Sequence, residues 1–246
     1  LAIEIEKQKL SPAELGLKGI VAGAEPYSEN TRKKLEEIYN TSVFNSYGLS
    51  EMNGPGIAFE CQCKKDPHIW EDSFFVEIID PKTGERLKDG ETGEMVLTSL
   101  NRKGMPLLRY RTKDLTYIHT DACDCGRTHK RIGRIVGRSD DMMIVKGVNV
   151  FPSQIEHVLM EMPEVGNNYQ IVIDRGADQM DRMVVKVEFC NKVFHGELGD
   201  LKQIREKIKH ALKEEIIVIP EVELLEPNTL PHSEGKAKRV IDLRKV

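Results

Sequence analysis

Cysteine and histidine residues are the side chains of this sequence that most directly suggest a specific chemistry. Four of the five cysteines form two Cys-x-Cys pairs, and a histidine follows each pair within a few residues. Thiolates and imidazoles are the usual ligands of structural zinc, although the usual spacing is Cys-x-x-Cys. We therefore expect a structural zinc site whose ligands are Cys61, His68, Cys123 and Cys125.

Two alternatives to this ligand set stay open. His129 or Cys63 could replace one of the four ligands, or the cysteines could simply be small apolar side chains in turns. An odd number of cysteines, in a chain rich in Lys and Glu that shows no export signal, indicates reduced thiols. The expected location is therefore cytoplasmic.

Composition and charge exclude several classes of partner. The chain has 246 residues, with 36 basic and 40 acidic side chains and a net charge of −4. Basic and acidic side chains so nearly equal in number do not indicate a surface that binds nucleic acid or a membrane. No apolar run approaches the roughly 20 residues that span a bilayer. We expect no nucleic-acid or membrane partner.

The secondary structure expected around these residues changes in character along the chain. A strand at residues 18–23, a helix ending at Tyr39 and a strand at 42–46 indicate an α/β unit with parallel pairing. Strands at 74–80 and 93–98, joined through tight turns, indicate an antiparallel sheet or a small barrel. The expectation for residues 1–137 is an α/β remnant followed by a β-barrel-like region.

The remaining residues, 138–246, are expected to form a compact α+β domain. Ser153 and Glu156 have the spacing of a capping box ahead of a helix, and Asp200 is the expected cap of a second helix. Strands are expected at residues 169–174, 183–190, 216–219 and 222–225.

Six polar, Gly-rich segments resemble the motifs of the adenylate-forming enzyme superfamily, in the same order. They are GAEP at 23–26, YGLSE at 47–51, RYRTKD at 109–114, GRSDD at 137–141, KGVNVFP at 146–152 and LPHSEGK at 230–236. Within this superfamily, the segments at residues 54–58 and 68–72 most resemble those of the phenylacetate–CoA ligases. The resemblance implies that 1–137 is the C-terminal part of a large AMP-binding domain and that 138–246 is the lid domain.

The family's reaction is implied with the resemblance. An aryl acid is activated by ATP, with Mg²⁺, to an acyl-adenylate, and coenzyme A then displaces AMP; a homodimer is also implied. Phenylacetate, a hydroxylated relative or indoleacetate would fit the local residues. A carrier-protein adenylation domain and an inactive adenylate-binding relative stay open as alternatives. Because the family's Ser/Thr/Gly phosphate loop does not occur in this sequence, we expect a piece of a longer enzyme that is inactive alone.

The resemblance also assigns roles to individual residues. Glu51 would hold Mg²⁺, Lys236 would stabilise the adenylation transition state, and Asp140 would be the hinge of the lid. Contacts with the nucleotide are assigned to Gly23, Ala24, Glu25, Pro26, Tyr47, Gly48, Ser50, Asp114 and Arg138, with Tyr47 on the adenine and Asp114 on the ribose. Lys146 and Gly147 would face coenzyme A, and the acyl pocket would be lined by Gly54, Gly56, Ile57 and Ala58.

Overall fold

A computed structural model of the chain describes residues 5, 8, 10–24, 27, 29–52, 54–176, 180–190, 198–231 and 239–245. The chain divides into two compact units, Leu1–Asp140 and Asp141–Val246. The division therefore falls three residues after the boundary expected from the sequence. The expected mixture of α/β and α+β structure is confirmed.

The first sheet of the N-terminal unit contains the predicted parallel pair. Its elements are β1 (Ile20–Ala22), α1 (Glu29–Tyr39), β2 (Val43–Leu49), β3 (Gly54–Phe59) and β4 (His68–Ile69). The strand order is β1-β2-β3-β4, with β1 parallel to β2 and the other pairs antiparallel. Short 3-10 helices lie at Pro12–Leu15 and Ser50–Met52.

Strand β3 was not expected, because its Gly-Pro-Gly start is typical of a turn. Gly54 and Gly56 have φ values of +86° and +111°, which suit glycine far better than other residues. These two residues let a strand begin where the composition indicates a loop. Strand β3 then contributes Ile57 and Ala58 to the core of the unit.

The second sheet of this unit is antiparallel. It consists of β5 (Phe74–Ile79), β6 (Gly93–Ser99), β7 (Tyr110–Thr116) and β8 (Gly137–Arg138), in that order. Strands β5 and β8 are its two edges, so the expected barrel-like region is an open four-stranded sheet. Buried side chains of β5 and β6 pack with those of β3 and β4 in one core, including Ile78, Met95, Leu97, Ile57 and Ile69.

The described residues of the C-terminal unit form a four-stranded sheet with two helices and a separate hairpin. Its elements are β9 (Met143–Val145), β10 (Val148–Val150), α2 (Pro152–Glu161), β11 (Val165–Arg175), β12 (Asp181–Phe189), α3 (Leu198–Ile216), β13 (Glu221–Leu225) and β14 (Val240–Asp242). The strand order is β13-β12-β11-β14, with an antiparallel central pair and parallel outer pairs. Strands β9 and β10 form a separate hairpin.

The helices cover this sheet with the apolar faces that the sequence indicates. Ile155 and Leu159 of α2, and Ile208 and Leu212 of α3, are fully buried in one core with Ile171 and other strand residues. A 3-10 helix at Leu243–Lys245 follows β14. No helix in the described part of the chain is long and apolar enough to cross a membrane.

Three local expectations in this unit were wrong. Helix α2 begins at Pro152, and the Gln154 side chain accepts the N–H of Phe151 at 3.0 Å, so Ser153 and Glu156 are not its cap. Proline suits a first helical position because no N–H partner is needed there. Helix α3 begins at Leu198, which places Asp200 in its first turn. Residues 216–219 are the end of α3 and a turn, because Ile217 has φ +64°.

Candidate functional site

Gly23 and Ala24, which the sequence assigns to adenine, follow strand β1. A side chain at Gly23 would lie 2.6 Å from the carbonyl oxygen of Ser46 on β2, so only glycine allows this close approach. Ala24 has φ +71°, and the chain therefore turns sharply at the carboxyl end of β1. Glu25 and Pro26 lie outside the described residues.

Tyr47, Asp114 and Arg138 come together although they are far apart in the sequence. The Tyr47 hydroxyl donates to Asp114 Oδ2 at 2.6 Å, and Arg138 Nη1 donates to Asp114 Oδ1 at 3.1 Å. Burial, together with the negative charge of Asp114, raises the pKa of Tyr47 above its ordinary value of 10.0. Tyr47 is therefore a neutral donor that orients the carboxylate. Three residues assigned to one nucleotide thus form one hydrogen-bonded group, which we call the Asp114 triad.

The segment after β8 is held by ion pairs and hydrogen bonds. Arg138 binds Asp140 through Nε and Nη2, each at 3.0 Å. Ser139 donates its N–H to the carbonyl oxygen of Lys113 at 2.7 Å and its hydroxyl to Glu94 Oε2 at 3.2 Å. Asp140, the expected hinge, is the last residue of the N-terminal unit.

Glu94 is a central residue that the sequence reasoning missed. Its side chain is fully buried and accepts two bonds from Arg111, at 2.8 and 2.6 Å, while Lys113 Nζ lies 3.6 Å away. Burial opposes ionisation, but Arg111 outweighs it and holds the pKa of Glu94 below its ordinary value of 4.5. The available signal was a single charged residue in a strand that has no other charged residue. Glu94 thereby joins β6 and β7 to the segment that ends at Asp140.

Ser50 and Glu51 lie exposed on the 3-10 helix Ser50–Met52. The Glu51 carbonyl oxygen accepts a bond from Arg102, and its carboxylate interacts with the Tyr110 hydroxyl. Carboxylate and phosphate oxygens are the ligands that Mg²⁺ prefers. Glu51 therefore fits a site in which the protein supplies one carboxylate and the nucleotide supplies other ligands.

The residues assigned to the acyl pocket differ in exposure. A side chain at Gly48 would lie 2.6 Å from the carbonyl oxygen of Gly54 and from the nitrogen of Gly56, so β2 and β3 meet there backbone to backbone. Ile57 and Ala58 are only 1% and 0% exposed. They belong to the core behind strand β3, whereas Gly54 and Gly56 lie nearer the surface.

Lys146 and Gly147 form the turn of the β9–β10 hairpin. Their φ values are +51° and +80°, the pattern of a two-residue type I′ turn. No atom of the described residues lies within 4 Å of the position of a Gly147 side chain, so the positive φ is the reason that glycine suits this position. Asp181 Oδ2 accepts the Lys146 N–H at 3.2 Å. Lys236, the expected catalytic residue, lies outside the described residues.

The four residues expected to bind zinc are brought together by the fold. Their ligand atoms all lie within 4.8 Å of one another. The Sγ atoms of Cys61 and Cys123 are 3.6 Å apart, and Cys125 Sγ is 3.4 Å from His68 Nε2. Tetrahedral zinc with Zn–S of about 2.3 Å and Zn–N of about 2.0 Å requires separations of about 3.8 and 3.5 Å. We call these residues the Cys/His cluster.

Groups around the Cys/His cluster suit a metal as well. His68 Nδ1 lies 3.1 Å from the carbonyl oxygen of His129, which directs Nε2 toward the sulfurs as in zinc sites generally. The Arg127 backbone N–H lowers the pKa of Cys125 to about 6, which favours the thiolate that binds zinc. Burial acts in the opposite direction on Cys61 and raises the pKa of its thiol to about 12. In the described part of the chain, this is the one group of at least three Cys, His, Asp or Glu residues with ligand atoms close enough to share a metal ion.

Comparison with known proteins places these residues in a family. Residues 147–244 match the model of the AMP-binding enzyme C-terminal domain. The chain is 45% identical to phenylacetate–coenzyme A ligase of Thermus thermophilus, over 100% of this chain and 58% of that protein. It is 42% identical to phenylacetate–coenzyme A ligase of Pseudomonas putida, over 99% of this chain and 55% of that protein.

Solved structures agree with this relationship. The chain matches 2-hydroxyisobutyryl-CoA ligase, crystallised in the postadenylation state with an acyl-AMP, at a TM-score of 0.89 and 31% identity. That match covers 99% of this chain and 52% of the other protein. The chain therefore spans about half the length of the relatives it matches. We conclude that it is a homologue of the phenylacetate–coenzyme A ligases within the adenylate-forming CoA ligases.

Proposed function

We propose that the full-length protein containing this chain ligates phenylacetate, or a related aryl acid, to coenzyme A at the expense of ATP. The observation that supports this best is the Asp114 triad. Three motif residues that the resemblance assigns to one nucleotide contact one another in the structure. The similarity to phenylacetate–CoA ligases over the whole chain supports the choice of acid.

The proposed reaction has two half-reactions. In adenylation, an oxygen of the acid's carboxylate attacks the α-phosphorus of ATP, the bond to the β-phosphate oxygen breaks, and pyrophosphate leaves. In thioester formation, the sulfur of coenzyme A attacks the acyl carbon, the thiol proton is lost, and AMP leaves with its oxygen. Both half-reactions place extra negative charge on oxygens that positioned cations and donors must stabilise.

The residues of the N-terminal unit would bind the nucleotide. Tyr47 would pack on the adenine, and Asp114, already oriented by Tyr47 and Arg138, would accept from the ribose hydroxyls. Each carboxylate oxygen has two lone pairs, so one oxygen of a carboxylate can accept more than one hydrogen bond. Ser50 would donate to the α-phosphate, and Glu51 would hold Mg²⁺. Bound Mg²⁺ would neutralise charge on the phosphates.

The C-terminal unit would act in two arrangements. Lys236 would contact the α-phosphate and the acid's carboxylate during adenylation, whereas Lys146 and Gly147 would face coenzyme A during thioester formation. The division of the chain directly after Asp140 supports a hinge there. Hinges are short inter-domain positions that absorb a large backbone change.

Measuring the two half-reactions of the full-length protein tests this function. We expect acid-dependent exchange of pyrophosphate into ATP with phenylacetate and its relatives, followed by thioester formation with coenzyme A. The isolated 246-residue chain should show no exchange. Exchange followed by transfer only to a carrier protein would favour the adenylation-domain alternative, and adenylate binding without exchange would favour the inactive relative. The expected homodimer and cytoplasmic location stay predictions, and light scattering of the full-length protein tests the first.

We also propose that the Cys/His cluster binds a structural zinc ion. The tetrahedral ligand separations and the orientation of His68 support this site. Cys61 and Cys123 are 62 residues apart in sequence, so the metal would join two distant segments. Arg131 bridges the same segments, donating to the carbonyl oxygens of Lys65 and Asp121 at 2.5 and 3.0 Å.

Elemental analysis of the protein, purified without chelators, tests the zinc site. We expect about one zinc ion per chain, since structural sites are closed and tetrahedral. Cys123→Ser should lose the metal, whereas Cys63→Ser should keep it, because Cys63 lies beside the cluster but outside its four ligands. Freshly purified protein without stoichiometric zinc would refute the proposal.

A further inference from the structure

The Cys/His cluster takes its four residues from two loops, and a third segment joins them. The two loops, residues 61–68 and 119–125, contain all four members of the cluster, and we call them the ligand loops. Arg131 forms an antiparallel bridge with His68 in the first loop. Its carbonyl oxygen accepts the N–H of His119, in the second loop, at 2.9 Å. The backbone of Arg131 therefore contacts both ligand loops.

The side chain of Arg131 is bonded to both loops as well. Nη1 donates to the carbonyl oxygen of Lys65 at 2.5 Å. Nη2 donates to the carbonyl oxygen of Asp121 at 3.0 Å and to Asp121 Oδ2 at 2.8 Å. The side chain is only 2% exposed, and burying a charged group is costly unless it is paired and hydrogen-bonded. The bonds that offset this cost also fix the two loops relative to each other.

His119 makes a second bridge between the ligand loops. Its Nε2 lies 2.9 Å from Asp66 Oδ2 in the first loop, and its Nδ1 lies 3.2 Å from Asp121 Oδ1 in the second. The ring also packs against Tyr117, with the two ring centres 5.0 Å apart. Asp121 thus contacts His119 through one carboxylate oxygen and Arg131 through the other.

These bridges leave the ligand atoms of the Cys/His cluster free for a metal. The bonds of Arg131 and His119 described above end on Lys65, Asp66 and Asp121, and they involve neither the three sulfurs nor His68 Nε2. They can therefore form whether or not a metal is bound. Ligands that are already in place bind more tightly, because less conformational freedom is lost on binding.

We propose that Arg131 and His119 are positioning residues of the zinc site, and that they assemble the two ligand loops before the metal binds. We call this pair the loop clip. The proposal rests on the zinc site proposed above. The loop clip does not touch the metal, and it acts by holding the loops that carry the ligands. Its loss should weaken zinc binding and loosen the loops of the metal-free protein.

The first test measures the zinc affinity of the full-length protein by competition with a chromophoric chelator. Arg131→Met should weaken zinc binding about 10- to 100-fold, the usual effect of changing a residue that orients metal ligands. Arg131→Lys should weaken it at least about tenfold, because an ammonium group lacks the fork of donors that reaches both loops. Lys130→Met is the matched control, since the partly exposed pair of Lys130 with Asp89 belongs to neither bridge. Its zinc affinity should stay within about twofold of the parent value.

His119→Phe supplies a second variant, which is milder because His119 is more exposed than Arg131. Phenylalanine keeps a ring beside Tyr117 but removes both nitrogens. We expect zinc binding to weaken about tenfold. An affinity equal to that of the parent protein in Arg131→Lys or in His119→Phe would overturn the positioning role of the residue that was changed.

Amide hydrogen exchange provides a readout that does not depend on zinc affinity. The N–H groups of Ile69, His119 and Ile132 are bonded across the loops and the segment between them. Removing zinc from the parent protein with a chelator should leave the exchange of these amides unchanged, whereas they should exchange several times faster in zinc-free Arg131→Met. Equally fast exchange in the zinc-free parent would show that the metal assembles the loops, and would overturn the loop clip. A parent protein that binds no added zinc would instead overturn the zinc site, and the exchange rates would still judge the clip.

Discussion

At the scale of single residues, the site depends on close backbone approaches and on one buried acid. Gly23 and Gly48 have so little space that a methyl group would overlap neighbouring backbone atoms. Glu94 combines complete burial with contacts to Arg111, Lys113 and Ser139. The fold requires glycine at the close approaches and a carboxylate at Glu94. Each requirement can be tested with a substitution that changes only a few atoms.

Replacing Gly48 by alanine should destabilise the N-terminal unit. The new methyl group would lie 2.6 Å from backbone atoms of Gly54 and Gly56, so β2 and β3 would have to separate. Overpacking of this kind costs about 1–3 kcal/mol. Gly104→Ala is the matched control, because an added methyl group there has no neighbour within 4 Å among the residues that the structure describes, and its effect should stay within about 0.5 kcal/mol. Urea unfolding of both variants measures the difference, and equal free energies of unfolding would contradict the close approach.

Replacing Glu94 by glutamine should change how stability depends on pH. Because Arg111 outweighs the effect of burial and lowers the pKa of Glu94 from 4.5, its contribution is present above pH 4.5 and is lost as the pH falls through the lower folded-state value. Glu94→Gln should therefore lower the free energy of unfolding at pH 7 by about 1–3 kcal/mol. Below pH 4.5, the difference between the variant and the parent protein should shrink. The exposed Glu85 supplies the control Glu85→Gln, and a difference that stays constant from neutral pH to about pH 3.5 would refute the assignment.

At the scale of elements, the C-terminal tail is part of the fold of its unit. Arg239 and Arg244 lie in the last eight residues of the sequence, and both side chains have internal partners. Arg244 donates to the carbonyl oxygen of Ile144 at 2.7 Å and pairs with Asp181 and Asp242 at 2.9 and 2.8 Å. It therefore joins strand β14 to the β9–β10 hairpin, whose turn contains Lys146 and Gly147.

Replacing Arg244 by alanine should loosen that hairpin. The Arg244 side chain is 14% exposed, and removing one partner of a buried ion pair costs about 3–5 kcal/mol. We expect a loss near the lower end of that range, with faster hydrogen exchange at residues 143–150. Arg182→Ala is the control, because its pair with Glu221 is about half exposed and such pairs contribute at most about 1 kcal/mol. Unchanged exchange in the hairpin would show that Arg244 does not hold it.

At the scale of the whole molecule, the proposed reaction needs the C-terminal unit to take two arrangements, one for each half-reaction. Lys236→Ala should slow adenylation about 10²–10³-fold, the usual effect of removing one preorganised contact at a transition state. It should still convert a supplied acyl-adenylate to the thioester. The complementary variant, Asp140→Pro, should show the opposite pattern, because proline fixes φ at the expected hinge.

The control for the hinge is Asp140→Ala. Both substitutions remove the ion pair between Asp140 and Arg138, but only proline restricts the backbone. We expect thioester formation to fall at least about tenfold in the proline variant alone. If Asp140→Pro and Lys236→Ala each reduce both half-reactions equally, the two-arrangement account is wrong for this protein.

The sequence was enough to predict the family, because the family is recognised from the order of its motifs. It was also enough to predict the mixed α/β and α+β classes and the parallel β1–β2 pair, because these depend on local hydrophobic periodicity. The four members of the Cys/His cluster could also be named, since thiol and imidazole types restrict the choice of ligands. Tertiary contacts were needed to show that strand β3 forms from a Gly-Pro-Gly segment and that the second sheet stays open. They were also needed to identify Glu94, Asn168 and Glu188 as centres of hydrogen bonding. Buried Glu94 bonds Arg111 and Ser139, buried Glu188 accepts the Leu230 N–H, and Asn168 bonds Leu230 and Arg239. These partners lie 17 to 71 residues away in sequence, and no local pattern encodes such distances.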